Sequence, residues 1–252
     1  MTRPVSLSLR LFALVLLFSM FSQAQQLQSA NWGQQFGTEG ANLRFMEIER
    51  KPSSDGQTYI HYFLQAIGMP KNVSYSLWEW EVGSEPQQKF TGISLRDDAV
   101  LLCSGKPGDC SGATEEQVYV LRLDSMQGEP KRFALVSSDG RAKAFGSETP
   151  FPVENAAGNC KVALERKKRD ASEITVRGAG FKPNDRVTVA ISGETNGTTL
   201  RSKTDAQGNF SVDFTHSAAP TTPNGDSQVN VKGSGCETTL PWKWGKDAEK
   251  KL

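Results

Sequence analysis

Apolar and polar residues alternate along most of this chain, and a period of two residues is typical of half-buried β-strands. The alternation is clearest between residues 173 and 214. Its apolar positions form three runs, namely Ile174 and Val176, then Val187, Val189 and Ile191, then Phe210, Val212 and Phe214. Glycine, proline, asparagine and aspartate fall between the runs, where tight turns need their backbone angles. This part of the chain is therefore predicted to be a set of strands joined by tight turns.

The same pattern extends the strand prediction over residues 160–244. About seven strands are predicted, near residues 161–166, 173–177, 186–192, 198–204, 209–214, 228–232 and 237–243. Seven short strands in a segment of this length are typical of an immunoglobulin-like β-sandwich. The basic run from Arg166 to Arg169 is bracketed by acidic residues and a turn, so we expect a solvated hairpin tip there. Residues 245–252 are predicted to be a charged tail.

The spacing of the turn residues in this segment resembles a known type of domain. They recur as Gly178-x-Gly180-Phe181-x-Pro183-Asn184-Asp185-x-Val187-x-Val189, followed by Thr204-Asp205-Ala206-x-Gly208-x-Phe210. Residues 160–243 are in this respect similar to the immunoglobulin-like modules repeated in bacterial exported and surface proteins. The resemblance implies a sandwich fold and a role as a spacer, adhesive unit or accessory domain. It implies no catalytic residue.

The first half of the chain carries its own strand pattern and resembles no family. Its strongest strand candidate is the run TYIHYFLQAIG after a turn at residues 52–56, and both faces of that run are partly apolar. Such a strand is expected at the centre of a sandwich. We predict an N-terminal β-sandwich domain over residues 41–153, a linker of small residues at 154–159, and the second sandwich over residues 160–244.

Residues 1–24 have the pattern of a signal peptide. Arg3 and Arg10 precede an apolar run, and Ser22-Gln23-Ala24 supplies the small residues of a cleavage site. The apolar run is about half of the roughly 20 residues that a membrane-spanning helix needs, so a cleaved leader is favoured over an anchor. Gln25 stands where a lipoprotein would need a cysteine, and no later apolar stretch could span a membrane. Residues 25–40 are predicted to be a flexible leader.

The charge balance argues against a nucleic-acid partner. Without residues 1–24 the chain has 27 basic and 28 acidic residues, a net charge of −1. A nucleic-acid binder usually shows a basic stripe or a high pI, and this sequence has neither.

Four cysteines in an exported chain are most simply two disulfides, although four cysteines allow three pairings. Cys103 and Cys110 flank a turn-rich loop, whereas Cys160 and Cys236 lie at opposite ends of the second predicted domain. We therefore predict that Cys103 pairs with Cys110 and that Cys160 pairs with Cys236. Without a Cys-x-x-Cys motif or a nearby histidine, a redox function is not expected.

Residues typical of catalytic or metal sites are sparse. The two histidines are His61, inside a predicted strand, and His216, in a loop of the other domain. Neither has the neighbours at the spacing that a zinc site needs, and the Gly-x-Ser-x-Gly motif of serine hydrolases is absent. We expect no catalytic residue, no metal and no cofactor.

Aromatic residues offer the best candidate for a binding surface. Trp78 and Trp80 share one face of a predicted strand, and Tyr75 precedes them closely. Flat aromatic rings side by side can hold sugar rings by stacking, so these three residues are candidate ligand-binding residues. The alternative is that both tryptophans belong to the core, since their burial strongly stabilises a fold.

A carboxylate pair on the same strand leaves an enzymatic alternative open. Glu79 and Glu81 share the opposite face, roughly 6.5 to 7 Å apart by strand rise. That separation suits the paired carboxylates of a glycoside hydrolase. An amphipathic surface strand would also place them there.

The sequence thus predicts a non-enzymatic interaction or structural module of the periplasm or cell surface, whose partner is an unidentified protein or glycan. A carbohydrate-binding module that uses Trp78 and Trp80 is the first alternative. A small glycan hydrolase that uses Glu79 and Glu81 is the second.

Overall fold

The structure, a computed structural model, describes residues 32–54, 56–103, 117–193, 197–216 and 224–252. The strands of the first half are β1 (Asn42–Pro52), β2 (Thr58–Ile67), β3 (Tyr75–Trp80), β4 (Gln87–Leu95), β5 (Leu101–Cys103), β6 (Gln117–Val118), β7 (Val120–Leu123), β8 (Lys131–Ser137) and β9 (Lys143–Glu148). Those of the second half are β10 (Val153–Ala157), β11 (Cys160–Arg166), β12 (Glu173–Ala179), β13 (Arg186–Gly193), β14 (Thr198–Lys203), β15 (Phe210–Thr215), β16 (Asn224–Gly233) and β17 (Cys236–Gly245). Short 3-10 helices span Gln34–Phe36 and Lys246–Glu249. The prediction of an all-β fold with two sandwiches is confirmed.

The first sandwich packs a three-stranded sheet, in the order β1-β2-β7, against a six-stranded sheet, in the order β6-β5-β4-β3-β8-β9. Strand β2 shows why the sequence folds this way: Ile60, Leu64 and Ala66 alternate along it and are fully buried. They meet Leu77, Phe133 and Leu135 of the larger sheet in one core. β2 lies between β1 and β7, so the expectation of a central strand is confirmed.

The second sandwich packs two four-stranded sheets, in the orders β10-β11-β12-β15 and β14-β13-β16-β17. All seven strands predicted from the alternation are present, and valines from both sheets build the core. The predicted disulfide between Cys160 and Cys236 is confirmed; it joins the start of β11 to the start of β17 and thus links the two sheets. With a sequence separation of 76 residues, such a bridge stabilises the fold by about 4 kcal/mol in the chain-entropy model.

The turn motif of this domain is engaged in holding the sandwich together. Gly180 and Gly208 have φ angles of 74° and 79°, and a Cβ at Gly208 would collide with the carbonyl group of Phe181. The hydroxyl of Thr204 donates to the carbonyl oxygen of Lys182 at 2.7 Å. Asp205 accepts hydrogen bonds from two backbone N–H groups of its own turn. These residues have structural roles.

The segment predicted to be a linker contains an eighth strand of the second sandwich. Residues 154–159 include most of β10, in which Val153 pairs with Leu164 and Ala157 with Cys160. The side-chain amide of Asn155 also donates to the carbonyl oxygen of Thr239 in β17. Small residues with weak strand propensity are ordered here because β11 pairs with their backbone. The segment is therefore a strand rather than a linker.

The described part of the predicted leader and the predicted charged tail both dock on the first sandwich. The backbone N–H of Thr38 donates to the carbonyl oxygen of Lys143, and the hydroxyl of Thr38 accepts from the N–H of the same residue, each at 2.9 Å. At the other end, the N–H of Leu252 donates to Ser125 and its carbonyl accepts from Thr58. Lys251 forms an ion pair of 2.9 Å with Asp124. Neither segment is a loose extension where it is described.

Candidate functional site

The outer face of the six-stranded sheet carries Trp78 and Trp80. The antiparallel register places Trp78 opposite Ala134 of β8, and Ala134 opposite Phe145 of β9. Trp80 lies opposite Arg132. Directly opposed residues share a sheet face with their Cβ atoms about 5 Å apart. The three strands therefore build one surface that combines aromatic rings with a guanidinium group.

Trp32 from the N-terminal segment packs on this surface. Its ring centroid lies 4.9 Å from that of Trp78, 5.8 Å from that of Trp80 and 6.3 Å from that of Phe145. The three tryptophans are half-buried and Phe145 is buried. We call these four residues the aromatic cluster. The strand pattern alone does not find Trp32, although a lone tryptophan in a polar segment is a signal that some apolar partner exists.

Tyr75 does not belong to the aromatic cluster. It faces the core of the first sandwich, with only 1% of its surface exposed, and its hydroxyl donates to the carbonyl oxygen of Pro70. Burial raises the pKa of its hydroxyl. The odd and even positions of a strand point to opposite faces, so Tyr75 could not share a surface with Trp78 and Trp80. Of the three predicted ligand-binding residues, the structure brings together only the two tryptophans.

A cleft of about 310 Å³ opens beside the aromatic cluster, between the two sandwiches. We call it the junction cleft. Trp80, Arg132 and Phe145 line its first-domain wall, and Glu165 and Arg177 line its second-domain wall. An oxygen of Glu165 lies 2.9 Å from a guanidinium nitrogen of Arg177, and its other oxygen lies 3.9 Å from Arg132. The volume is at the low end of the range for small-molecule sites.

The contact between the two domains, which we call the junction, includes the buried side chain of Arg166. Its side chain is 2% exposed. The guanidinium donates two hydrogen bonds to the carbonyl oxygen of Gln127, at 2.6 and 2.9 Å, and one each to Arg169 and Ala248. It also lies over the ring of Trp242. The expectation of a solvated hairpin tip is therefore wrong for Arg166, because a loop of the other domain covers it.

A second buried cation, Lys131, supports a contact between the domains through its partner Glu81. Lys131 is 1% exposed and forms ion pairs with Glu81 and Glu129. Glu129 also accepts hydrogen bonds from the hydroxyl of Ser125 and a backbone N–H. Glu81 also forms an ion pair across the junction with Arg169 of the second domain, with 3.1 Å between a carboxylate oxygen and a guanidinium nitrogen. Because buried charges are costly unless they are paired, these contacts hold the domains in one arrangement.

The two carboxylates of the hydrolase alternative serve different neighbours. Glu79 lies 3.6 Å from Lys89, and burial raises its pKa. Burial acts on Glu81 in the same direction, but its hydrogen bond and charge interaction with Lys131 lower its pKa overall. Opposite shifts can suit an acid and a base. Neither group, however, is among the residues that line the junction cleft.

The remaining candidate residues have structural surroundings. His61 contacts Glu49 at 2.7 Å, and His216 stacks on Trp244 in the second core. No group of three or more potential metal-ligating side chains occurs among the described residues. Cys103 is disulfide-bonded, and its predicted partner Cys110 lies outside the described ranges. The helices within these ranges are too short or too polar to span a membrane.

Comparisons with known proteins do not identify a family or a function for this chain. No protein-family model and no curated protein matches the chain. A solved tetra-tandem repeat from the extending region of a large adhesion protein matches at 12% identity and a TM-score of 0.28, over 82% of this chain and 50% of that chain. Red sea bream transglutaminase matches at 12% identity and a TM-score of 0.22, over 79% of this chain and 31% of that chain. This chain thus spans half of the first of these two structures and about a third of the second, and similarity at this level identifies no family.

Proposed function

We propose that this protein is a non-enzymatic, exported binding module whose ligand site is the junction cleft and whose ligand is a saccharide. The proposal is carried by one observation: Trp80 presents an aromatic ring in a cleft that also holds Arg132, Glu165 and Arg177. A sugar offers a weakly polar ring face for stacking and hydroxyl groups for hydrogen bonding. A site of this composition satisfies both.

The fixed junction supports this proposal. A cleft with one wall from each domain binds selectively only if the two walls keep their separation, because reordering them on binding would cost affinity. Arg166, which donates to the carbonyl oxygen of Gln127, and the ion pair between Glu81 and Arg169 both cross between the domains and hold the walls in place. The second domain thus contributes the opposite wall as well as the scaffold.

A second concavity is less suited to a ligand. An open depression of about 700 Å³ lies on the β11-β12-β15 face of the second domain, between Lys161, Lys203 and Asp205. Lys161 is already paired with Glu154 at 2.7 Å. The aromatic side chain there, Phe210, is 6% exposed and belongs to the core. The junction cleft is therefore the better site, although it is smaller.

The absence of an enzymatic role is also a proposal, and the ion pairs of Glu81 support it. A carboxylate that compensates buried Lys131 cannot change its charge or position without loss of the junction. A hydrolytic pair needs both carboxylates free to act beside the substrate.

We further propose that the second domain is an immunoglobulin-like module of an exported protein. The strand order supports this assignment, because β11, β12 and β15 lie on one sheet and β13, β16 and β17 on the other. Immunoglobulin-like sandwiches distribute corresponding strands in this way. The disulfide between Cys160 and Cys236 and the predicted signal peptide support export.

The test is a titration of the mature chain with a panel of neutral and acidic oligosaccharides, followed by calorimetry and tryptophan fluorescence. At least one saccharide should bind, and Trp80→Ala should weaken binding at least tenfold, about 1.4 kcal/mol. Trp80→Phe should retain part of the affinity. Product analysis after long incubation should find no cleavage.

The matched control is Tyr59→Ala, which removes an aromatic ring from the outer face of the other sheet, where Arg122 stacks on it. This variant should bind like the unaltered chain, and circular dichroism should find all three variants folded. Failure of every saccharide to bind would refute the proposal, and so would binding that is insensitive to position 80.

A further inference from the structure

The charges of the junction cleft do not balance within the cleft. Its lining contains two guanidinium groups, those of Arg132 and Arg177, and one carboxylate, that of Glu165. Glu165 lies 2.9 Å from Arg177, a hydrogen-bonded ion pair, but 3.9 Å from Arg132. One anion thus neutralises mainly the cation on its own domain, and the cation on the opposite wall keeps its capacity to bind a second anion.

Arg132 is positioned for such an anion. Among the described residues, only the carboxylate of Glu165 lies within ion-pair distance of the Arg132 guanidinium. The side chain of Arg132 is 36% exposed. Its strand neighbours Lys131 and Phe133 are buried, so the backbone of β8 is anchored on both sides of it. An arginine that is anchored at its backbone and exposed at its guanidinium can form the bidentate pair that carboxylates favour.

The register sets Arg132 next to the aromatic ring of the cleft. Arg132 and Trp80 are directly opposed on β8 and β3 and project from the same sheet face. Opposed side chains start about 5 Å apart. A sugar ring stacked on Trp80 would therefore carry a carboxylate substituent into the reach of the guanidinium.

We propose that the junction cleft selects acidic saccharides, with Trp80 stacking on the sugar ring and Arg132 binding its carboxylate. This inference rests on the proposed saccharide-binding function and adds the charge of the ligand. A cleft of about 310 Å³ suits one or a few sugar units better than a folded acidic protein, whose interface needs a far larger surface.

The experiment compares the affinity of each acidic trisaccharide with that of its uncharged methyl ester. Trisaccharides of galacturonate, glucuronate and mannuronate are titrated into the full mature chain beside their methyl esters, which keep the rings and remove the charge. At least one acid should bind ten times more tightly than its ester, and the preference should fall as salt is raised. Equal affinity of acid and ester for all three would overturn the inference while leaving saccharide binding in place.

Loss of charge at two positions of the cleft, Arg132 and Glu165, should change the affinity for the acid in opposite directions. Arg132→Gln should abolish the difference between acid and ester, and Arg132→Lys should restore part of it, since an ammonium keeps the charge without the planar fork. Glu165→Gln should increase the affinity for the acid, because it removes the competing carboxylate. Arg122→Gln, on the far sheet above Tyr59, is the control and should change neither.

A glutamate-rich hexapeptide completes the test. We expect it to bind at least tenfold more weakly than the preferred acid. Tighter binding of the peptide would assign the cleft to an acidic protein segment and overturn the inference. Failure of all saccharides, neutral and acidic, would instead refute the proposed function itself.

Discussion

The two sandwiches use their most conspicuous residues in opposite ways. In the second domain the residues of the turn motif, such as Thr204, Asp205 and Gly208, are engaged in turns and close backbone contacts. In the first domain Trp80 and Arg132 stand on the outer face of a sheet whose core is already complete without them. A residue whose contacts are satisfied within its own domain explains the fold. A residue that lies outside the core of its domain and lines a cleft is the better candidate for function.

The largest expected loss of stability comes from replacing Arg166, which joins the two domains. Arg166→Ala should destabilise the protein by about 3–5 kcal/mol, because it leaves the carbonyl oxygens of Gln127, Arg169 and Ala248 buried without their donor. Denaturant unfolding should detect this loss, together with the split of a single transition into two as the domains uncouple.

The control for that change lies in the same basic run. Lys168 is 56% exposed and paired at 3.5 Å with Glu173, so Lys168→Ala should cost less than about 0.5 kcal/mol. Similar losses of stability for both variants would mean that Arg166 does not join the domains. The fixed arrangement of the two cleft walls would then have no support.

Trp32 should have the next largest effect. Trp32→Ala removes three ring contacts from the aromatic cluster and should destabilise the first domain by about 1–2 kcal/mol. It should also move the fluorescence of Trp78 and Trp80 to longer wavelength as water reaches their rings. Phe36→Ala, at a side chain already 42% exposed, should change the stability by less than about 0.5 kcal/mol. Unaltered fluorescence in Trp32→Ala would show that the N-terminal segment does not cover the cluster.

The smallest expected effect is a pH dependence confined to the second domain. His216 is buried between Phe214 and Trp244, and burial lowers its pKa. The folded protein therefore holds this imidazole neutral. The resulting contribution to the free energy of unfolding is complete above the pKa of histidine in the unfolded chain, about 6.5, and is lost as the pH falls below that value. Each unit of pKa depression corresponds to about 1.4 kcal/mol.

The measurement is the free energy of unfolding between pH 7.5 and pH 5 for the unaltered chain and for His216→Phe. The variant keeps a ring to stack on Trp244 and removes the titrating group, so its stability should fall less with acid. Parallel curves for the two proteins would contradict the assignment of the pH dependence to His216.

The strands could be predicted from sequence because alternation reports directly on local burial. Val187, Val189 and Ile191 alternate with polar neighbours, and β13 buries all three. Trp78 and Trp80 could likewise be placed on one face. Tyr75 fell to the opposite face, where the same alternation puts it.

The site could not be assembled from sequence because its parts come together by tertiary packing. Trp32 lies far from β3 along the chain, and no local period links them. Arg166 belongs to a run of cations that looks solvated until the loop carrying Gln127 closes over it. Residues 154–157 have the composition of a linker, but they form a strand because their backbone pairs with β11 in antiparallel register. Each of these outcomes depends on a distant partner.

The measurement that tests the central claim most directly is a backbone-amide NMR titration, with the saccharide that binds best, of the chain without its predicted signal peptide. The account predicts that signals from both walls of the cleft, Arg132 and Phe145 on one domain and Glu165 and Arg177 on the other, shift together with a single dissociation constant. Shifts confined to one domain, or centred on the outer face of the β1-β2-β7 sheet, would contradict it.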